Sequence, residues 1–317
     1  MIYTFMDKSS KIFVAGNKGL VGSSIVRKLK SEGYINIITK DRTELDLLDF
    51  NQVDNFFNTC RPEYVFLSAA KVGGIKANSS YKADFIWENI MIQSNVIKLS
   101  QVYGVKKLLF LGSSCIYPKM SQQPIKEEYL LSGHLESSND AYAIAKISGI
   151  KMCQSFNEQY GTNFISVMPS NMYGINDSYH SENSHVFPAI IRKLHEAKKS
   201  SSKNIVLWGD GTPMREFLFS DDLADACIFC MNNQVPDLVN IGTGSDLTIK
   251  DLAQVMRDII YPECEIEFTG DKSINGTPKK LLDIGLINSF GWFSKTTLED
   301  GIRASYKDFL NRYESFN

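Results

Sequence analysis

A chain of 317 residues is long enough to bury a full core and exceeds the usual single-domain size, so one large domain with a smaller lobe is the expected plan. Apolar residues make up 43 % and charged residues 22 %, which is globular rather than disordered composition. A net charge of -2 gives no basic footprint for nucleic-acid phosphates, and no apolar run approaches the roughly 20 residues of a membrane span.

Met1 to Met6 is too short an apolar run for a signal peptide, and Asp7 interrupts it, so a cytoplasmic chain is expected. Short β-branched runs then predict strands at Lys11 to Ala15, Asn36 to Thr39, Tyr64 to Ser68, Lys107 to Gly112 and Phe164 to Met168. Helical patterns separate them at Leu20 to Ser31, Asn51 to Thr59, Asp84 to Tyr103 and Ala141 to Tyr160. This alternation predicts an α/β fold with a doubly wound parallel sheet. After Pro169 it stops, and the polar stretch Asn176 to Asn183 reads as a loop opening a smaller α/β lobe. Phe217 to Met231 reads as one further helix, and Leu238 to Gly242 as a strand returning to the sheet. Two amphipathic helices follow, around Leu252 to Ile260 and Leu298 to Tyr313. The expected division is 1–170 with 216–243 for the first domain, and 171–215 with 244–317 for the lobe. Of the 6 cysteines, Cys227 and Cys230 alone form a C-x-x-C spacing, and with no second pair nearby they read as a helix face rather than a metal site.

Directly after the first predicted strand comes Gly16-Asn17-Lys18-Gly19-Leu20-Val21-Gly22, which opens the first helix. Glycines permit a tight turn and close backbone approach, so free amides and the helix dipole can hold a pyrophosphate. At the end of the second strand stands Lys40-Asp41-Arg42. An acid there favours the free ribose hydroxyl of NAD, and a cation favours the extra phosphate of NADP. Two cations, one a guanidinium able to grip phosphate with paired hydrogen bonds, favour NADP(H).

Tyr142 and Lys146 lie four apart on a predicted helix and share a face, with Ser113 just beyond the fourth strand. A neighbouring ammonium is expected to lower the phenol pKa, and the serine supplies a second hydrogen bond to a carbonyl oxygen becoming an alkoxide. That is the equipment of a ketone reductase. In these residues the chain resembles the extended short-chain dehydrogenase/reductase family over essentially its whole length. The resemblance implies a Rossmann sheet, with Gly16, Gly19, Leu20, Val21, Gly22, Arg42, Ala69, Lys71, Lys146 and His185 at the cofactor.

Members of the family that expel water carry an Asp-Glu pair after the serine or threonine, where this chain has Ser114 and Cys115. Dehydration is therefore disfavoured. A carbonyl at carbon 4 of a sugar acidifies the protons on carbons 3 and 5, and inversion there needs one base and one acid. Cys115 and His185, from Ser184-His185-Val186-Phe187-Pro188, are the candidates. The runs Ala69 to Ile75, Ser113 to Lys119, Tyr142 to Lys146 and Trp208 to Phe217 resemble the branch of the family that epimerises and reduces GDP-linked 4-keto-6-deoxy sugars with NADPH. The resemblance implies that Asn171, Trp208, Arg215 and Lys280 contact the GDP-sugar, that Lys193 stands where the branch often has a second arginine, and that the chain is a homodimer. A reductase of a related sugar, including a heptose, that leaves carbons 3 and 5 untouched is the alternative. A cofactor sensor without chemistry is the other, against which the intact Ser113, Tyr142 and Lys146 argue.

Overall fold

The computed structural model describes residues 6–180 and 184–316. The expectations for Met1 to Phe5 and for Ser181 to Asn183 lie outside the described residues. The first half runs β1 Ile12–Ala15, α1 Leu20–Ser31, β2 Ile37–Lys40, α2 Phe50–Cys60, β3 Tyr64–Leu67, α3 Ile75–Ser80, α4 Lys82–Val102, β4 Lys107–Leu111, α5 Asp140–Tyr160 and β5 Phe164–Pro169. The second continues with β6 Asn171–Tyr173, α6 Val186–Ser200, β7 Asn204–Leu207, β8 Met214–Phe219, α7 Ser220–Asn232, β9 Leu238–Ile241, β10 Asp246–Thr248 and α8 Ile249–Ile260. It closes with β11 Glu265–Phe268, β12 Lys279–Lys280, α9 Gly285–Ser289 and α10 Leu298–Arg312.

Six parallel strands form the central sheet in the order β2-β1-β3-β4-β5-β9. Every residue of β1, β3 and β4 is buried, because helices cover both faces; this is why those strands are apolar throughout instead of alternating. On one face Ile25 and Leu29 of α1 join Cys227 and Met231 of α7 in one core. On the other, Phe57, Val96 and Ile150 from α2, α4 and α5 form a second. The strand order reverses between β1 and β3, and in open α/β sheets a ligand crevice opens at the carboxyl ends of the strands at such a switch point. The doubly wound parallel fold is therefore the one expected. Among the described residues no helix is long and apolar enough to cross a membrane.

The second lobe holds more structure than its sequence suggests. Ile190, Leu194, Leu252, Met256, Ile302 and Phe309 from α6, α8 and α10 build a third core. Helix α6 was not expected; Pro188 masks its pattern, yet at the third helical position a proline removes no intrahelical bond. The single helix expected over Phe217 to Met231 divides at Ser220, with β8 before it and α7 after it. The reason is tertiary: β6 pairs with Phe217 to Phe219 and holds them extended, while β10 and β12 pair with Met214 to Glu216.

Glu216 of β8 ties this lobe to the sheet. Its side chain is fully buried and accepts hydrogen bonds from the backbone N–H groups of Thr243 at 2.5 Å, Gly244 at 2.8 Å and Leu282 at 3.0 Å. Glu216→Gln turns one acceptor into a donor facing backbone donors, so it should cost about 2–4 kcal/mol of stability. A urea midpoint unchanged from wild type would contradict this.

Candidate active site

One cleft of about 1580 Å³ opens at the carboxyl ends of β1, β3 and β4 and continues beneath the second lobe. A pocket for one small ligand holds roughly 300–1,000 Å³, so this cleft has room for two. All the residues singled out from the sequence line it: the glycine turn, Arg42, Ala69, Lys71, Ser113, Cys115, Tyr142, Lys146, Asn171, His185, Lys193, Trp208, Arg215 and Lys280.

The three glycines of the turn do different work. Gly16 has φ +87°, and a Cβ there would lie 2.7 Å from the backbone nitrogen of Ala69. A Cβ on Gly22 would lie 2.1 Å from the carbonyl oxygen of Gly16. Folding alone therefore demands both. A Cβ on Gly19 would meet only the Gly16 oxygen, at an ordinary 3.5 Å. That glycine leaves the start of α1 open, where no side chain caps the helix and its amides are available to an anion. The turn fits a dinucleotide pyrophosphate.

Beyond β2 the conflict of charges seen in the sequence separates. Asp41 accepts at Oδ1 from the Thr43 N–H at 2.9 Å and hydroxyl at 2.5 Å, while its Oδ2 faces Lys18 Nζ at 2.8 Å. Lys40 pairs with Glu44 at 3.0 Å. Arg42 is exposed and, among the described residues, paired with no side chain. Lys71 pairs with Glu88 and Asp84, and its backbone N–H donates to Asn89 Oδ1.

Strand β4 delivers Ser113 and, through a 3₁₀ turn, Cys115; helix α5 delivers Tyr142 and Lys146. Gly149 lets α5 approach the sheet, since a Cβ there would lie 2.5 Å from the Phe110 ring. Tyr142 and Ser113 line the same wall of the cleft, and the serine side chain acts on the phenol. Lys146 is buried, donates to the Leu111 carbonyl at 2.8 Å, and sits 5.8 Å from the Tyr142 ring centroid. The expectation of a lowered phenol pKa is corrected: burial pushes it well up, Cys115 adds to the rise, and the Ser113 hydrogen bond offsets only part. A phenol that keeps its proton is the form a reduction needs, because it must protonate the new alkoxide.

Burial holds Lys146 down to about 8. Its ammonium is thus present below that pH and lost above it, so reductive turnover should stay level from pH 6 to 7.5 and fall as pH rises past 8. Because the folded value lies below the ordinary 10.5, the unfolded chain binds the extra proton between these limits, and Lys146 makes folding more favourable as pH rises through that window. A rate profile flat to pH 9.5 would refute the catalytic half of this argument.

Cys115 is buried, which raises its thiol pKa; Lys280, the Ser113 hydrogen bond and Lys146 pull it back. His185 caps the start of α6 without a side-chain capping bond; its ring opens onto the cleft, and surrounding protein lowers its pKa. Arg215 and Lys280 are register partners on the paired strands β8 and β12. Burial lowers both pKa values, Arg215 to about 10, and both feel the carboxylate of Glu136. Glu136, which pairs with Lys119 at 2.8 Å, was missed in the sequence because an acid in a polar loop reads as solvated. Arg312 of α10 also reaches the cleft wall, and no local pattern marks it. Lys193 donates to the Val206 carbonyl at 2.6 Å and lies 5.8 Å from the Trp208 ring, which is 63 % exposed. Asn171 donates to the Glu216 carbonyl at 2.8 Å.

A parallel doubly wound sheet, an open glycine turn and a serine–tyrosine–lysine set in one cleft define an oxidoreductase of the short-chain dehydrogenase/reductase type. The chain belongs to the NAD dependent epimerase/dehydratase family, whose profile spans residues 12–242. It is 50 % identical over 310 residues to GDP-L-fucose synthase 1 of Arabidopsis thaliana, covering 98 % of this chain and 96 % of that one. It is 47 % identical over 316 residues to GDP-L-fucose synthase of Escherichia coli, covering 96 % and 98 %. Among solved structures it resembles MlghC, a GDP-mannoheptose C4 reductase from Campylobacter jejuni with NADP bound, at a TM-score of 0.88 and 40 % identity over 96 % of this chain and 99 % of that one.

Proposed function

We propose that this enzyme takes a GDP-linked 4-keto-6-deoxy sugar, epimerises carbons 3 and 5, and reduces carbon 4 with NADPH, as in GDP-L-fucose synthesis. The single observation that carries the reading is the convergence of Ser113, Tyr142 and Lys146 with Cys115 and His185 in a cleft large enough for two ligands. NADPH supplies the hydride. The glycine turn with Arg42, Ala69 and Lys71 holds the dinucleotide; Ser113 and Tyr142 hold the keto oxygen, and Tyr142 gives it a proton. Lys146 keeps the local field positive as the oxygen gains charge. Cys115 and His185 withdraw and return the protons at carbons 3 and 5. Arg215, Lys280 and Lys193 neutralise the diphosphate, Trp208 covers an apolar face of the ligand, and Asn171 holds a polar group.

In this reading residues 1–170 with 216–243 serve the dinucleotide and 171–215 with 244–317 the GDP-sugar. The enzyme works in the cytoplasm as a homodimer. Exposed Trp87 on α4 and Ile144 on α5, two helices that pack together, supply an apolar seam for that pairing. Product analysis with GDP-4-keto-6-deoxymannose and with its heptose counterpart, each with NADPH and NADH, tests the whole. The expected product is the 3,5-inverted, 4-reduced deoxyhexose made with NADPH. Reduction of the heptose alone, without inversion, would replace this reading by the reductase one, which the likeness to the heptose reductase favours.

A further inference from the structure

Arg215 and Lys280 both line the cleft, but their strands are held unequally. Arg215 lies within β8, with Leu247 of β10 as register partner on one edge and Lys280 on the other. Lys280 lies on β12, a strand of two residues that pairs with β8 along one edge alone. The other edge is closed by the segment that follows the Cys115 turn. There the Gln123 side chain accepts from the Leu281 N–H at 2.8 Å through Oε1 and donates to the Lys279 carbonyl at 3.3 Å through Nε2. It thus bonds to the residues on both sides of Lys280, and a second donation at 3.3 Å, to the Ser121 carbonyl, ties the amide to its own loop. Two residues on, the Ile125 backbone continues the ladder, donating to the Leu281 carbonyl and accepting from the Asp283 N–H, each at 2.8 Å. The amide therefore supplies the donor and acceptor that a neighbouring strand would supply.

We infer that Gln123 is a positioning residue for the GDP-sugar, whose amide clamp on β12 sets the Lys280 ammonium where it meets the diphosphate beside Arg215. This rests on the reading of Arg215 and Lys280 as diphosphate partners. Among the described residues the Lys280 ammonium makes no hydrogen bond or ion pair, so no side chain of the protein fixes it and its place depends on its backbone. Burial makes that place matter, because the pull between a cation and an anion is stronger and less screened away from water. Gln123 is not among the residues that line the cleft, so its influence on a ligand has to pass through β12. Loss of the clamp should therefore loosen Lys280 and leave Arg215, paired on both edges, in position.

The test is calorimetric titration of GDP and of NADP⁺ into wild type, Gln123→Met, Lys280→Met and the double variant. Gln123→Met is expected to weaken GDP about tenfold and to leave NADP⁺ within about twofold of wild type. Lys280→Met should weaken GDP at least as much, and the double variant should bind it no more weakly than Lys280→Met alone, since two changes that act through one group do not add. In turnover of the 4-keto sugar the Gln123→Met loss should fall on KM, with kcat held within about threefold. Gln123→Asn carries the same amide one methylene short; it should weaken GDP about threefold by the same pattern, and it decides the matter if the methionine variant binds neither ligand. If GDP binding survives loss of the amide, if NADP⁺ falls in step with GDP in the asparagine variant, or if Gln123→Met costs as much beside Lys280→Met as it does alone, the clamp does not position Lys280. Wild-type protein that binds no GDP, or Lys280→Met that binds it unchanged, instead overturns the diphosphate reading, and this inference with it.

Discussion

Tyr142→Phe is expected to bind NADP⁺ as wild type does and to lose roughly 10²–10⁴ in reductive turnover, the usual contribution of a positioned acid. The change removes one oxygen and leaves the ring. That ring packs edge-on against Phe85 at 6.3 Å between centroids, so the local fold should survive. What disappears is the hydroxyl itself, and with it the proton for the new alkoxide. Ser113 can still polarise the carbonyl, and for that reason the loss should stop short of complete. Steady-state rates beside a binding titration make the check, and turnover within threefold of wild type would show that another group protonates the oxygen.

Cys115→Ser should abolish solvent exchange at one of the two carbons beside the ketone by a factor of roughly 10² or more, while a substrate already inverted is still reduced. The experiment incubates the 4-keto sugar with protein in deuterated water without reduced cofactor. Wild type should place deuterium at carbons 3 and 5, and His185→Ala should be impaired in exchange as well. The argument rests on position: Cys115 lies two residues past Ser113, inside the 3₁₀ turn that Ser113 caps, and both residues line the cleft, so a sugar whose carbonyl meets Ser113 has its neighbouring carbons on the same wall as the thiol. Lys280 and Lys146 ease the ionisation that burial opposes. Absence of deuterium in the wild-type product would remove the epimerase role and leave the reductase alone.

The two roles for Cys115 and Tyr142 make opposite demands on one small volume. A thiol serves best when it ionises readily, and a phenol serves best when it does not. Burial raises both, but cations lie near the thiol, whereas Cys115 itself adds to the rise of the phenol. Both groups are buried, and what differs is the charge that bears on each: Lys280 and Lys146 on the thiol, Cys115 on the phenol. Glu136 bears on the same balance from the other side, because it helps to keep Arg215 and Lys280 charged in a half-buried setting.

Much of this molecule was legible along its chain. The βα alternation through Pro169, the glycine turn opening α1 and the tyrosine and lysine four apart on α5 are local patterns, and local sterics or one helical turn suffice to produce them. Three features were not legible. The extended run Met214–Phe219 is paired with strands whose register partners lie 46 residues earlier and 65 later, and three adjacent aromatic and aliphatic side chains suit a helix equally well. The direction of the Tyr142 shift depends on how much protein surrounds the hydroxyl, which spacing does not encode. The partner of Asp41 is a lysine 23 residues away. The βα alternation of the first half, the glycine turn and the inventory of chemical groups thus follow from the sequence alone, because they depend on near neighbours. Charge state, pairing and which glycine is kept for a ligand belong to the tertiary structure, because they are set by what distant segments bring to within a few ångströms.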